Sequence, residues 1–409
     1  MKKILFIHEN YPAQFGALAK YMADIGWEVM FATAAKGIEQ DQVKRDGKIR
    51  IAGYRAHREP HSSTHNYLQG TEKAILNGQG FARLAIKLRN SGFSPDVVMA
   101  HSGWGSGTFT KAVWPEAKFI QYLEWWYEHP ARDTMFTPSE KNVENQKARI
   151  FSRNLPFLLD WAYADGVIVP TKFQADGVPE KMRHNFLVMH DGVDTDMFSP
   201  PKGNVDLSFL DNPPPDDATV LTYATRGMEP YRGFPQFMQA LSYLQKTHKD
   251  FHCIIGGTDT IHYGPKLKDG DTWKKRMLAQ WDFDMDRIHF TGRLPYHQYR
   301  NVLQRSNGHV YLTVPFVLSW SLVESMAIGC PIITNDCAPT REALPTDDSA
   351  IFVDFQDAKS VLKGMTYALD NQKDAAQKGE VSRKLALANY SQADLYPKKV
   401  AYVESILDQ

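Results

Sequence analysis

Residues 314–336, VPFVLSWSLVESMAIGCPIITND, read as a strand end, a polar turn, a short helix, a Gly-Cys-Pro break and a second strand. Such an alternation is the building unit of a parallel sheet covered by helices. The one carboxylate before Asp336 is Glu324, a turn into a helix that the sequence starts at about Ser321. Two readings fit it. Ser321-Leu322-Val323-Glu324 has the spacing of a capping box, in which the carboxylate takes the cap's own N–H. Equally, a carboxylate there can grip the diol of a ribose while the free N–H groups of the turn attract an anion.

The same alternation runs outward in both directions. KILFIHE (3–9) is a near-continuous apolar run, as in a strand covered on both faces. FGALAKYMADIG (15–26) puts Phe15, Leu18, Ala19, Met22 and Ile25 on one helical face, with Gly26 as its stop. EVMFATA, DVVMAHSG, KFIQYLE and GVIVPT continue the strands of a first half. The turn-rich DGVDTDMFSPPKG and the Pro-rich DNPPPDD (211–217) mark a break. TVLTYAT, FHCIIGG, RIHFTGRL, GHVYLTV, CPIITND and AIFVD supply a second series, and DLYPKKVAYVESILDQ closes the chain as an amphipathic helix with Val400, Val403, Ile406 and Leu407 inward. The expected fold class is α/β, with two Rossmann-like, doubly wound domains facing across a cleft. Residues 1–200 form the first, completed by a C-terminal helix over about 391–409, and residues 201–390 form the second. Ligands of such sheets sit beyond the carboxyl ends of the strands.

Composition removes several alternatives. The 409 residues carry 47 basic and 47 acidic side chains, so no overall charge points to nucleic acid. Three cysteines, Cys253, Cys330 and Cys337, make no zinc pattern and no disulfide framework. The apolar run after Lys3 is too short for a secretion signal, and no stretch reaches a membrane span. The expected location is cytoplasmic, with peripheral contact at the inner membrane face left open. Gly-x-Gly-x-x-Gly is absent, which counts against a dehydrogenase. DFDMD (282–286) precedes its strand, the wrong side for a metal-binding Asp-x-Asp, and reads as a loop. His57, His61 and His65, spaced by four, read as a solvated loop more readily than as metal ligands.

TRGMEPYRGF (225–234) follows a strand and runs into a helix, placing Arg226 and Arg232 on one loop. Alone they read as solvated arginines. Beside a helix start they would grip a polyphosphate through charge-assisted bonds. The order of this loop, IIGG, FTGRLP and VESMAIGCPIITND resembles the C-terminal half of retaining glycosyltransferases of family 4, which have the GT-B fold. The resemblance implies that Arg226 and Arg232 neutralise the donor diphosphate. It implies that Gly292, Arg293 and Leu294 pack on the base, and that Glu324, Ser321 and Leu322 belong to the nucleotide site. It places Phe316, Ser319 and Trp320 at the donor sugar. Arg232 stands where the family usually has lysine. The family's Glu-x7-Glu pair is incomplete, because Phe316 occupies the first glutamate's position.

The first half is similar to the family as well. In ENYPAQFG, Gly16 opens the helix that helps shape an acceptor site, and His101 after its strand matches a histidine that faces the donor sugar. Asp191 replaces the asparagine of the family's Asn-Gly-Val-Asp turn. In QYLEWWYEHPARDTMF, Glu124 and Trp126 are acceptor candidates, with core packing as the other reading of the tryptophans. The implied activity is metal-independent, retaining transfer of a hexose from a UDP- or GDP-sugar to a glycan, lipid-linked or other hydroxyl acceptor, in surface polysaccharide or glycoconjugate assembly. No cofactor beyond that donor substrate is implied. A sugar-nucleotide epimerase and a non-catalytic two-domain sugar-binding protein remain as alternatives.

Overall fold

The computed structural model describes residues 1–133, 143–268 and 270–409, in two compact units. The first is Met1–Asp191 with Ala393–Gln409 and the second is Gly192–Gln392, so residues 192–200 fall in the second. The last three residues of QYLEWWYEHPARDTMF lie outside the described residues.

The first unit is built on strands β1 (Lys3–His8), β2 (Glu28–Thr33), β3 (Val43–Asp46), β4 (Ile49–Gly53), β5 (Val97–His101), β6 (Lys118–Tyr122), β7 (Gly166–Val169) and β8 (Phe186–Val188). Their order is β3-β4-β2-β1-β5-β6-β7-β8. All pairs are parallel except β3 with β4 at the edge. The order runs one way from β1 and the other way from β5. The carboxyl ends of those two strands therefore frame the switch point at which such sheets bind ligands.

Apolar β1 is sealed on both faces, with Ile4, Phe6 and Ile7 inaccessible. The helix Gly16–Asp24 lays Leu18, Ala19 and Met22 on one face. Ile25 was expected there too, but it is 49 % exposed. The helix has ended by then: Ile25 is its cap, and Gly26 turns the chain away at φ 99°. The C-terminal helix Gln392–Leu407 buries Val400, Val403 and Ile406 and leaves Leu407 half-buried. That helix also carries a buried ion pair. Lys399 Nζ lies 3.2 Å from Asp191 Oδ1, and the Tyr122 hydroxyl donates to both Asp191 oxygens at 2.9 and 2.8 Å. The aspartate that replaces the family's asparagine thus anchors the terminal helix to β6.

The second unit has β9 (Thr219–Gly227), β10 (Phe251–Thr258), β11 (Ile288–Gly292), β12 (Gly308–Tyr311), β13 (Ile332–Asn335) and β14 (Ile351–Val353). They form an all-parallel sheet in the order β11-β10-β9-β12-β13-β14. Its switch point lies between β9 and β12. The helix Phe234–Thr247 packs Phe234, Phe237 and Leu241 out of solvent, each contributing about 1.5–3 kcal/mol. Gly233 begins it in the left-handed region, φ 63°. A Cβ at that position would sit 2.6 Å from the Leu312 side chain, so both backbone and space demand glycine.

Candidate functional site

At the carboxyl ends of β9 and β12 lies a pocket of about 450 Å³, including its open mouth. Arg226, Arg232, Tyr263, Leu312, Ser319 and Ser321 are among its walls. Arg226 is the penultimate residue of β9 and its side chain is exposed. Arg232 is fixed from several sides. Its Nη1 donates to Thr313 Oγ1 at 2.7 Å, its carbonyl accepts from the Tyr223 hydroxyl at 2.8 Å, and its guanidinium lies 5.4 Å over the Tyr263 ring. Asn335 steadies Thr313 in turn through two buried backbone bonds of 2.9 and 3.0 Å. Among the described residues neither guanidinium is neutralised by an ion pair, so two positive charges face the pocket.

The helix Trp320–Ile328 adds its N-terminus. Ser319, not Ser321, is the cap, with its hydroxyl accepting from Ser321 N–H at 3.4 Å. The capping-box reading of Glu324 is therefore wrong: the helix starts earlier, and the carboxylate lies past its first turn. Glu324 is 5 % exposed and accepts from the Tyr296 hydroxyl at 2.9 Å. Burial pushes its carboxyl up to about 7, against the effect of the neighbouring Tyr296 and Tyr299 hydroxyls.

The other expected residues divide. Gly292 ends β11 at φ 65°, and Arg293 after it is exposed. Leu294 packs on the Val220–Ile254 cluster. Phe316, in place of a glutamate, joins Tyr231 and Tyr263 in an aromatic group with ring centres 5.5–6.3 Å apart. Leu322 is fully buried and Trp320 half-buried. None of these, nor Glu324, forms part of the wall of the pocket between the arginines.

The sequence reading missed Glu229. It lies between the two arginines, fully buried, and its Oε2 accepts from the backbone N–H groups of His262 and Tyr263. That bond pair holds Tyr263 beside Arg232. Burial raises the Glu229 carboxyl, while the amides and both arginines pull it down.

In the first unit, His101 ends β5 and His8 ends β1, side by side at the switch point. Their rings are 4.8 Å apart, edge to face, and Trp104 stacks on His101 at 4.4 Å. His101 Nε2 lies 3.5 Å from Glu124 Oε2. Gln14 Nε2 donates to Glu124 Oε1 at 2.8 Å. Both histidines are at least nine-tenths buried; among the described residues neither Nε2 makes a well-formed hydrogen bond, and the Gln14 side chain stands beside His8. His8 was missed although it shows the signal that singled out His101, a histidine directly after an apolar strand. Gly16 allows its helix to start against Pro12, whose Cβ would lie 2.3 Å from an added Cβ. Trp126 is buried among Leu123, Phe157 and Val167. Its ring is spent on the core, which is the packing reading rather than the stacking one.

Two sheets of this order, one with a cationic pocket at its switch point, define a GT-B glycosyltransferase architecture, and the comparisons agree. Residues 25–198 match the glycosyl transferase family 4 group, and residues 208–385 match glycosyl transferases group 1. The chain belongs to the group 1 glycosyltransferases. No curated protein matches it in sequence. Among solved structures it is similar to a sucrose-phosphate synthase from Thermosynechococcus elongatus, at 14 % identity and TM-score 0.75, over 100 % of both chains. It is similar to Anabaena Alr3699/HepE in complex with UDP and glucose, at 13 % identity and TM-score 0.69, over 99 % of this chain and 100 % of that one. It also resembles an α,α-trehalose 6-phosphate synthase from Burkholderia multivorans, at 12 % identity and TM-score 0.67, over 99 % and 98 % of the two chains. At these identities the likeness establishes the fold. No described helix is long and apolar enough to cross a membrane.

Proposed function

We propose that this glycosyltransferase moves a hexose from a nucleotide diphosphate sugar to a hydroxyl acceptor with retention at the anomeric carbon. The observation that carries the reading is the pocket at the β9/β12 switch point, where two unneutralised arginines meet the N-terminus of the helix Trp320–Ile328. An anion with two phosphates fits that charge and donor pattern.

In this reading Arg226 and Arg232 hold the diphosphate, helped by the amides of 319–322. Glu324 takes the ribose hydroxyls, exchanging its bond from Tyr296 for bonds from the diol. Gly292, Arg293 and Leu294 flank the base. Phe316, Ser319 and Trp320 lie toward the donor sugar. His101 meets a sugar hydroxyl, and Gly16, Glu124 and the neighbourhood of Trp126 shape the acceptor side. During transfer the bond from the anomeric carbon to the diphosphate oxygen breaks and a bond to the acceptor oxygen forms on the same face. The acceptor's proton passes to the leaving diphosphate. The arginines stabilise the charge that builds there, the role a divalent ion would otherwise fill.

Anabaena Alr3699/HepE was crystallised with UDP-glucose, which makes UDP-glucose the first donor to try. The acceptor classes proposed are glycans and lipid-linked saccharides of surface polysaccharide or glycoconjugate assembly, met in the cytoplasm at the inner membrane face. The test is nucleotide release from UDP- and GDP-sugars, with and without candidate acceptors, in the presence of EDTA. Release that persists in EDTA supports the reading. No release with any donor overturns it, and release abolished by EDTA overturns metal independence.

A further inference from the structure

The helix Leu155–Tyr163 is turned inside out. Its sequence, LPFLLDWAY, contains one charged residue, Asp160, and the fold buries that one. Asp160 faces inward, where its Oδ1 accepts from the Thr108 hydroxyl at 2.8 Å. Pro156 and Phe157 are buried with it, Phe157 against Trp126 and Tyr127. Leu155, Leu158, Leu159 and Tyr163 are left exposed. A surface helix ordinarily does the reverse, with its apolar stripe on the core and its charges in water.

The exposed stripe does not stop where this helix begins. The preceding helix, Val143–Arg153, ends one residue short of it, and Phe151 there is 70 % exposed. Pro156 has no N–H to offer the Ser152 carbonyl, which accounts for the break. Helical bonding resumes at once, because Leu158 N–H reaches the Asn154 carbonyl at 3.0 Å. Asn154 also fixes the junction: its Oδ1 accepts from Tyr127 N–H at 3.0 Å and its Nδ2 donates to the Tyr127 carbonyl at 2.6 Å. Phe151, Leu155, Leu158 and Ala162 follow at spacings of four, three and four, so they line one face across the break.

Cations accompany the stripe. From 147 to 163 the charged residues are Lys147, Arg149, Arg153 and Asp160, and only the carboxylate is buried. Lys147 stands one turn before Phe151. Arg149 and Arg153 are exposed, Arg153 over the Tyr127 ring at 3.6 Å. Large apolar side chains bordered by cations fit an anionic surface with an apolar interior. They suit a second copy less well. A two-fold contact of this face with itself would enclose the cations of both copies, with no exposed carboxylate of the face to meet them.

We propose that this face docks the first unit onto a bilayer carrying anionic headgroups. The apolar stripe from Phe151 to Tyr163 reaches the boundary between headgroups and acyl chains, and Arg149 and Arg153 meet the lipid phosphates. The face deepens the proposed function by fixing which side of the chain approaches a lipid-linked acceptor. That consequence rests on the glycosyltransferase reading, while the surface itself does not.

The test is flotation of the full chain with vesicles of phosphatidylcholine containing about 30 % phosphatidylglycerol, against vesicles of phosphatidylcholine alone, at about 0.1 M and 0.5 M salt and without donor or acceptor. Binding to the anionic vesicles should be at least about tenfold tighter than to the neutral ones and should weaken at the higher salt. Arg149→Glu should weaken it by at least about fivefold, and Phe151→Ser/Leu158→Ser by at least about tenfold. These side chains are exposed, so the fold is kept. Ile25→Ser is the control, since Ile25 is also exposed but caps the helix Gly16–Asp24 on the opposite face of the sheet, and it should bind as the wild type does. No binding to anionic vesicles, equal binding to neutral ones, or a loss in Ile25→Ser as large as in the double variant overturns the inference. So does a concentration-dependent dimer in sedimentation velocity that the double variant abolishes, because a second copy would then occupy the face. UDP affinity, read on the same samples, separates the two readings. Vesicle binding without UDP binding sinks the donor reading and leaves this one standing, and UDP binding without vesicle binding does the opposite.

Discussion

The two units place a site at the same point of the same topology and fill it with opposite chemistry. At the β9/β12 switch point stand Arg226, Arg232 and a helix N-terminus. At the β1/β5 switch point stand two imidazoles, an indole and a carboxylate. The first suits an anion, and the second offers imidazole and carboxylate groups for hydrogen bonding. The sheet supplies the location, and the few residues at the strand ends decide the ligand. The units also steady their sites differently. The first ties its terminal helix down with the Lys399–Asp191 pair. The second ties its arginine loop through Glu229 and two backbone amides.

The largest effect should come from breaking that tie in the first unit. Lys399→Met removes the cation beside the buried Asp191 and should cost about 3–5 kcal/mol. Calorimetry should show one transition moving down while UDP binding is retained. A matching loss of UDP affinity would mean that the two sites are not independent.

Arg232→Ala removes a held charge and should weaken UDP by about 2 kcal/mol, roughly 30-fold. Among the described residues Arg226 makes no bond through its guanidinium, and its loss should cost less. Equal losses would show that the bond to Thr313 does not preorganise the pocket.

Each unit also contains one buried carboxyl pushed up to about 7 by burial, Asp160 in the first and Glu324 in the second. Both pKa values lie above those of the unfolded chain. Between about pH 4.5 and 7 the unfolded state therefore binds fewer protons, and stability falls as pH rises through that window. Asp160→Asn and Glu324→Gln should each flatten this slope in urea titrations, additively. Only Glu324 should couple to the nucleotide. If the ribose needs the ionised form, UDP affinity should rise roughly tenfold from pH 6 to pH 8 and become flat in Glu324→Gln. A slope unchanged in that variant would return Glu324 to a purely structural role.

The smallest effect is expected for Glu229→Gln. The amide oxygen can still accept from His262 and Tyr263, so UDP affinity should change by no more than about threefold. A larger loss would show that the carboxylate's charge, not its grip on the turn, matters to the arginines.

Most of the fold was legible because buried parallel strands write themselves as apolar runs with turn residues between them. KILFIH, TVLTYAT and PIIT could be little else. The site was legible where chemistry is local: Arg226 and Arg232 sit on one loop, and His101 ends one strand. It was less legible where the partner is distant in sequence. Glu229 depends on backbone amides at 262–263, Arg232 on Thr313 and Asn335, and Glu324 on Tyr296. Nothing near those residues announces the contact. Glu324 was misread as a capping candidate because a Ser-x-x-Glu spacing does not say which serine begins the helix. Ser319, two residues earlier, won that competition.

The most direct test of the account is whether the second unit's pocket reads a diphosphate. Calorimetric titration of the full chain with UDP, UMP and uridine, in the wild type and in Arg226→Ala/Arg232→Ala, measures that increment. The account predicts that UDP binds the wild type at least tenfold more tightly than UMP and that the double variant loses most of the difference. A double variant that still prefers UDP by the same factor would contradict it.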